Sequence, residues 1–154
     1  MGVLTVSIKE ELTLNGAQQG GVNTVSIASV TQSFKRVVTC PASVDTTVAM
    51  FQAGTNTQDG ALDLQDVKYL RVTNLDASNS VNLSLQISTA ENGTADSSCT
   101  VLLEAGKSFI MGAVHDGIAV DDDAATIVTT LTDLESIIVD PSSNNVTVEV
   151  FIAS

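Results

Sequence analysis

The single histidine is the residue best suited to catalysis. His115 precedes Asp116 in the sequence GAVHDG. A serine or cysteine nucleophile would need an imidazole as its base and a carboxylate to orient the ring. Neighbouring residues of a strand point to opposite faces, so Asp116 is badly placed for that role. The sequence also contains no GxSxG and no glycine-rich phosphate loop. We therefore predict a protein that is not an enzyme, with no catalytic residue and no cofactor.

A run of three carboxylates is the candidate metal site. Asp121, Asp122 and Asp123 are adjacent, and Ca²⁺ takes six to eight hard oxygen ligands. The run lacks the spaced Asp, Gly and Glu pattern of an EF-hand loop. Runs of like charge usually form solvated loops. We keep the three aspartates as candidate ligands and favour the solvated loop.

A second polar loop suggests sugar binding. Asn74, Asp76, Ser78 and Asn79 follow one another closely, between two strand-like segments. Sugar sites usually include an aromatic ring, and the chain has only one Tyr and four Phe. Asn and Asp also bond their own backbone in turns. The pattern favours turn formation, with a carbohydrate- or calcium-dependent binding module as the alternative function.

The elements around these residues are predicted to be strands. In Val81–Ser88 apolar and polar residues alternate, which indicates a strand with one buried face. Val146–Ile152 has the same pattern after a similar polar loop. We predict two hairpins here, Val67–Thr73 with Val81–Ser88 and Ile137–Val139 with Val146–Ile152. A third should join Cys99–Leu103 to Ser108–Met111.

The whole pattern predicts an all-β protein. Eight to ten short strands favour an antiparallel β-sandwich, with a jelly roll as one fitting topology and at most one short helix, within Asp121–Leu134. A phase slip near residues 28–30 predicts a bulge or a bend within a long Val22–Thr39 segment. Residues 1–154 are expected to form one domain, with residues 1–21 as a candidate N-terminal arm.

Charge restricts the partners of the protein. Six basic residues stand against 18 acidic ones, a net charge of −12. Nucleic acids and anionic membrane surfaces both require clustered Lys and Arg, so we predict neither as a partner. The mean hydropathy is nevertheless positive, at +0.27. Such an apolar surplus suggests self-association.

The cysteines and the N-terminus bear on the compartment. Cys40 and Cys99 form no CxxC motif, and we expect two buried free thiols, with one disulfide as the alternative. The N-terminus lacks the basic and apolar regions of a signal peptide. We expect synthesis in a cytoplasm.

Three segments carry a family resemblance. The segments YLRVTNLDASNSVNLSLQI, LLEAGKSFIMG and ESIIVDPSSNNVTVEVFIAS resemble small virion structural proteins of tailed bacteriophages, over roughly Leu62 to Ile152. The resemblance is to hairpin patterns, so no site residue can be transferred from the family.

The resemblance implies a head decoration, or cement, protein. Such a protein would be non-enzymatic and would strengthen the capsid through protein–protein contacts. Its partners would be the major capsid protein or another virion protein. We expect a homo-oligomer, preferably a trimer, located on the virion surface after synthesis in the host cytoplasm.

Overall fold

The computed structural model describes residues 1–53, 61–88, 95–121 and 127–154. These residues contain β-strands, one short 3₁₀ helix at Leu64–Asp66 and no α-helix. The strands are β1 (Gly2–Lys9), β2 (Thr13–Leu14), β3 (Ala17–Gln18), β4 (Val22–Val30), β5 (Ser33–Cys40), β6 (Thr46–Gln52), β7 (Leu62–Asp63), β8 (Tyr69–Asn74), β9 (Val81–Ser88), β10 (Ser97–Leu103), β11 (Ser108–Met111), β12 (Asp133–Asp140) and β13 (Val146–Ala153). Within this described portion, no helix has the length and hydropathy needed to cross a membrane.

The chain divides into two compact units, Met1–Gln32 and Ser33–Ser154. The first unit, called the arm below, is one long antiparallel hairpin. β1 pairs with β4, and β2 pairs with β3. The two ladders share one register, because five residues separate Lys9 from Leu14 on one side and Ala17 from Val22 on the other. The predicted arm ended at residue 21, whereas this unit extends to Gln32 because β4 is the partner of β1.

Two local features fix the shape of the arm. Asn15 and Gly16 both have positive φ, 50° and 76°, as a two-residue type I′ turn requires. At Gly20 an added Cβ would lie 1.9 Å from the carbonyl oxygen of Glu10. Only glycine therefore allows the two strands to approach this closely.

The second unit, called the body below, is a rolled-up hairpin of eight main strands. β5 pairs with β13, β6 with β12, β8 with β11, and β9 with β10, all antiparallel. Rolling this hairpin brings β13 beside β8 and β12 beside β9. The sheets have the orders β11-β8-β13-β5 and β10-β9-β12-β6-β7, where β7 is a short parallel addition. The strand pairing is that of a jelly roll, so the predicted all-β antiparallel sandwich is confirmed.

The core of the body lies between the inward faces of the two sheets. Val148, Val150 and Ile152 of β13 point inward and are at most 1% exposed. Leu83 and Ile137 on the opposite sheet are fully buried. β-Branched and leucine side chains at alternate positions thus supply the core without any tryptophan.

The three predicted hairpin pairings in the body are wrong. β8 lies in one sheet and β9 in the other, and the same holds for β12 with β13 and for β10 with β11. The polar loops therefore cross between sheets. Alternation shows that each strand has one buried face, but it does not identify the neighbouring strand.

The predicted bulge near residues 28–30 is confirmed, because β1 advances by two residues and β4 by three between the pairs Gly2–Val30 and Leu4–Ile27. The predicted long Val22–Thr39 segment is divided, because β4 stops at Val30 and β5 starts at Ser33. Ser29 adopts a positive φ of 58°. Of the proposed helical segment, residues 122–126 lie outside the described residues, and Asp133 and Leu134 already belong to β12.

Candidate functional site

The arm has one apolar and one polar face. Cross-strand partners share a face, and the pairs Leu4–Ile27 and Val6–Val25 lie on the apolar one. The apolar arm face consists of Leu4, Val6, Ile8, Leu12, Leu14, Val25 and Ile27, interrupted by the polar residues Glu10, Gln19 and Asn23. Four of its side chains are about half exposed: Ile8, Leu12, Leu14 and Val25.

The polar face contains the side-chain interactions of the arm. The hydroxyls of Ser7 and Thr24 lie 3.0 Å apart. Thr13 donates to Gln18 Oε1 at 3.0 Å, and Lys9 pairs with Glu11 at 2.7 Å. Polar side chains thus bond one another on this face, which also carries the exposed Val3 and Val22. On the apolar face, the aliphatic side chains are covered within the arm only by one another.

The body has two long edge strands. β5 pairs only with β13, and β10 only with β9, in the described structure. Edge strands present unpaired backbone groups that can recruit another chain. β5 contains Lys35 and Arg36, while on β10 Leu102 is 63% exposed. Charged side chains protect such an edge against indiscriminate pairing.

The outer face of the β5 sheet is held by a charged trio. Glu149 of β13 accepts from Arg71 of β8 and bonds Lys35 of β5 at 3.0 Å. Lys35 and Arg71 hold the pKa of Glu149 below its ordinary value, against the opposing effect of burial. Tyr69 and Phe151 meet edge to face, with ring centroids 6.1 Å apart.

The neutral polar residues of β9 form part of a concave surface. Asn82, Ser84 and Gln86 line it together with Thr100, Ile138, Asp45 and Asp140. Gln86 donates to Ser84 at 2.8 Å. As expected from the sequence, their strand neighbours Val81, Leu83, Leu85 and Ile87 are buried.

The predicted sugar-binding loop uses its polar groups internally. Asn74, fully buried, donates to the carbonyl oxygens of Asn79 and Leu103 and accepts from the Asp76 amide. The carboxylate of Asp76 accepts from the amides of Ser78 and Asn79. Those amide bonds lower the pKa of Asp76. The loop geometry matches the turn interpretation, because the Asn74 amide and the Asp76 carboxylate are hydrogen-bonded to backbone groups.

The aspartate run is only partly described. Asp121 is exposed, and Asp122 and Asp123 lie outside the described residues. The candidate calcium site therefore stays a prediction from the sequence.

Cys40 and Cys99 are free thiols, as predicted, although Cys99 is half-buried. Burial raises the pKa of the Cys40 thiol, with a smaller opposite effect from the Thr46 hydrogen bond.

His115 lies between two carboxylates. Its Nδ1 is 2.8 Å from Asp133 Oδ1, and its Nε2 is 3.4 Å from Asp116 Oδ2. Asp133 Oδ1 also accepts from the Asp116 amide at 2.8 Å. In a catalytic triad, the imidazole nitrogen that does not face the carboxylate bonds the nucleophile. In this protein that nitrogen, Nε2, faces Asp116.

A further acid lies near this group on β12. Glu135 is 6% exposed and sits where the register shifts between Leu134 and Ser136. Burial, and then the negative charge of Asp133, raise the pKa of Glu135. The sequence signal was two acids in the apolar segment DLESIIV. The approach of Asp133 to His115 depends on the fold.

Comparisons with known proteins do not assign a family. No family model matches the chain, and no curated protein matches it. One solved structure is similar, described as "Bacillus endospore appendages form a novel family of disulfide-linked pili". It is 12% identical, covers 82% of this chain and 88% of that chain, and gives a TM-score of 0.42. This comparison gives no phage relative, and a likeness this distant assigns neither family nor role.

Proposed function

We propose that the protein is a non-enzymatic structural subunit that assembles through its arm with further copies of itself. The observation that supports this proposal is the apolar arm face. It combines seven large aliphatic side chains on one side of a hairpin whose other side is polar except for the exposed Val3 and Val22. An isolated two-stranded hairpin is marginally stable in water and needs a packed apolar face to persist.

The size of the driving force can be worked out from the exposed side chains. Fully burying a Val, Leu or Ile side chain contributes about 1.5–3 kcal/mol. Four side chains of the face are still about half exposed, so covering them offers about 1 kcal/mol each. A total of about 4 kcal/mol per subunit becomes substantial when several arms associate.

A second copy is the occupant best suited to this face. Residues 1–32 contain one Lys and two Glu, so the arm carries a net charge of −1 while the chain carries −12. Two bodies repel each other electrostatically, whereas two arms meet with little charge. Every copy has the same face, which allows closed symmetric association. We expect a trimer.

The proposed location is the outer surface of a bacteriophage capsid, where the subunit would act as a decoration protein. The resemblance over Leu62 to Ile152 supports this location. So does the neutral strip Asn82, Ser84 and Gln86, because uncharged polar side chains can enter a protein interface without the cost of desolvating a charge. The proposed partner is the major capsid protein or another virion protein.

Native mass of the full chain tests the assembly proposal. Light scattering coupled to gel filtration should give a multiple of 15.9 kDa, unchanged by calcium or a chelator. Val25→Glu places a charge on the apolar arm face and should yield monomers. Thr24→Glu, its neighbour on the polar face, should leave the mass unchanged.

Two results would contradict the proposal. One is a monomeric wild-type chain at tens of micromolar. The other is equal loss of assembly in both variants, which would indicate damage to the hairpin and not to one face. The capsid location has a separate test, sedimentation of the purified protein with capsids that lack decoration. Failure to cosediment would reject the location and leave self-assembly standing.

A further inference from the structure

We propose that His115, Asp116 and Asp133 form a binding site for a divalent transition metal, with zinc as the best-suited ion and the Ser88 hydroxyl as a further ligand. One donor atom from each of the first three residues lies within 4.8 Å of the others. Ligands of a tetrahedral zinc ion, each at about 2.0–2.2 Å from it, lie about 3.3–3.6 Å apart. A small inward movement of side chains would therefore complete the coordination.

The three residues differ in their freedom to make that movement. The Asp133 side chain is 7% exposed, whereas those of His115 and Asp116 are 37% and 58% exposed. Asp133 is further fixed by the hydrogen bond from the Asp116 amide. Asp133 thus serves as the fixed ligand, and the imidazole and the second carboxylate can close on the ion from the solvent side.

Ser88 provides an independent observation. Ser88 is 0% exposed, and its Oγ has no hydrogen-bond partner in the described structure. Buried polar groups nearly always have partners, so an orphaned hydroxyl calls for an explanation. Ser88 is directly opposite Asp133 in the β9–β12 pairing, which places their Cβ atoms about 5 Å apart on the same face. A metal bound to Asp133 would give this hydroxyl its missing partner.

The donor set selects the kind of metal. Calcium and magnesium prefer ligand shells made entirely of oxygen, whereas an imidazole nitrogen suits zinc and related transition metals. The two aspartate carboxylates balance the charge of a divalent ion. The imidazole nitrogen that does not bind the ion keeps its proton and can donate a hydrogen bond, as metal-bound histidines commonly do.

The position of the site suggests a structural role for the ion. The segment Val114–Ile118 already pairs with the start of β12, since the Leu134 amide donates to Val114 and the Thr132 amide to Ile118. A metal held by His115, Asp116 and Asp133 would join the two segments through their side chains as well. The site is independent of the arm, so it does not depend on the proposed function.

Zinc titration of the untagged, chelator-stripped full chain tests the proposal. Calorimetry should show one zinc per chain. His115→Gln and Asp133→Asn should each weaken binding by about 100-fold or more, and Ser88→Ala by about tenfold. Asp45→Asn, at the other end of the sheet, and Cys99→Ser should bind like wild type. The chain has one histidine, so its imidazole ¹⁵N resonances report coordination directly.

The expected spectral result is a zinc-dependent shift of one ring nitrogen of His115, with the other still protonated. Three results would overturn the proposal. The first is no saturable zinc binding up to about 100 µM. The second is zinc binding of unchanged affinity in His115→Gln. The third is imidazole resonances that do not move when zinc binds.

Discussion

Asn74 is expected to be a major determinant of stability, because one buried side chain bonds three backbone groups. Its amide nitrogen donates to Asn79 O at 2.8 Å and to Leu103 O at 3.1 Å, and its oxygen accepts from the Asp76 amide at 2.9 Å. Each such bond contributes about 1 kcal/mol net, and a buried group left without a partner costs about 1–3 kcal/mol. Leu103 is 4% exposed, so water cannot easily replace the donor. We expect Asn74→Ala to lower the free energy of unfolding by about 3–4 kcal/mol.

Urea denaturation followed by circular dichroism measures this change, at an unchanged dependence on denaturant concentration. Asn74→Asp keeps the acceptor for the Asp76 amide but loses both donors, and places a carboxylate beside two carbonyl oxygens. It should therefore be at least as destabilising as the alanine variant. Asn144→Ala is the matched control, because Asn144 is exposed and also bonds Asn79; it should cost under about 1 kcal/mol. If Asn74→Asp were as stable as the wild type, the hydrogen-bond explanation would be refuted.

Two further predictions concern titratable groups. The pKa of Glu149 is lowered in the folded state by Lys35 and Arg71, so its stabilisation is present above its ordinary pKa of 4.5 and is lost as the pH falls through the lower folded-state value. Urea titrations between pH 6 and pH 3 should show a smaller loss of stability in Glu149→Gln than in the wild type, and identical pH profiles would contradict this. Cys99 should react with a thiol reagent in the native protein while Cys40 reacts only on unfolding, because Cys40 is 0% exposed and burial raises its pKa. Equal native reaction rates would show that burial does not protect Cys40.

Local alternation predicted the strands but not their partners. Val81–Ser88 was predicted with its observed bounds, and its apolar residues are buried as expected. Its partners are β10, the next strand along the chain, and β12, which starts more than forty residues after β9 ends. Nothing within a strand encodes such a partner, and a short polar loop fits a hairpin as well as a crossing between sheets. The sandwich was therefore predictable and its connections were not.

The arm and the His115 group show two different limits of the sequence. Asn15-Gly16 between alternating apolar residues is a strong hairpin signal, and the partner of β1 could have been found by reading the register outward from it. The approach of Asp133 to His115 could not be found in that way. It depends on the pairing of Ile118 with Thr132 and on the shifted register of β12, which are properties of the complete fold.

The pairing of β5 with β13 sets the order in which a newly made chain can fold. Ser33 is opposite Ala153, so the first strand of the body waits for the last one to leave the ribosome. At about 5–20 residues per second, this delay is about 6–24 seconds. The arm has all its pairing within residues 2–30 and can form during that interval. A chain that stops before Val146 would lack the strand between β8 and β5, leaving a finished arm attached to a body that cannot close.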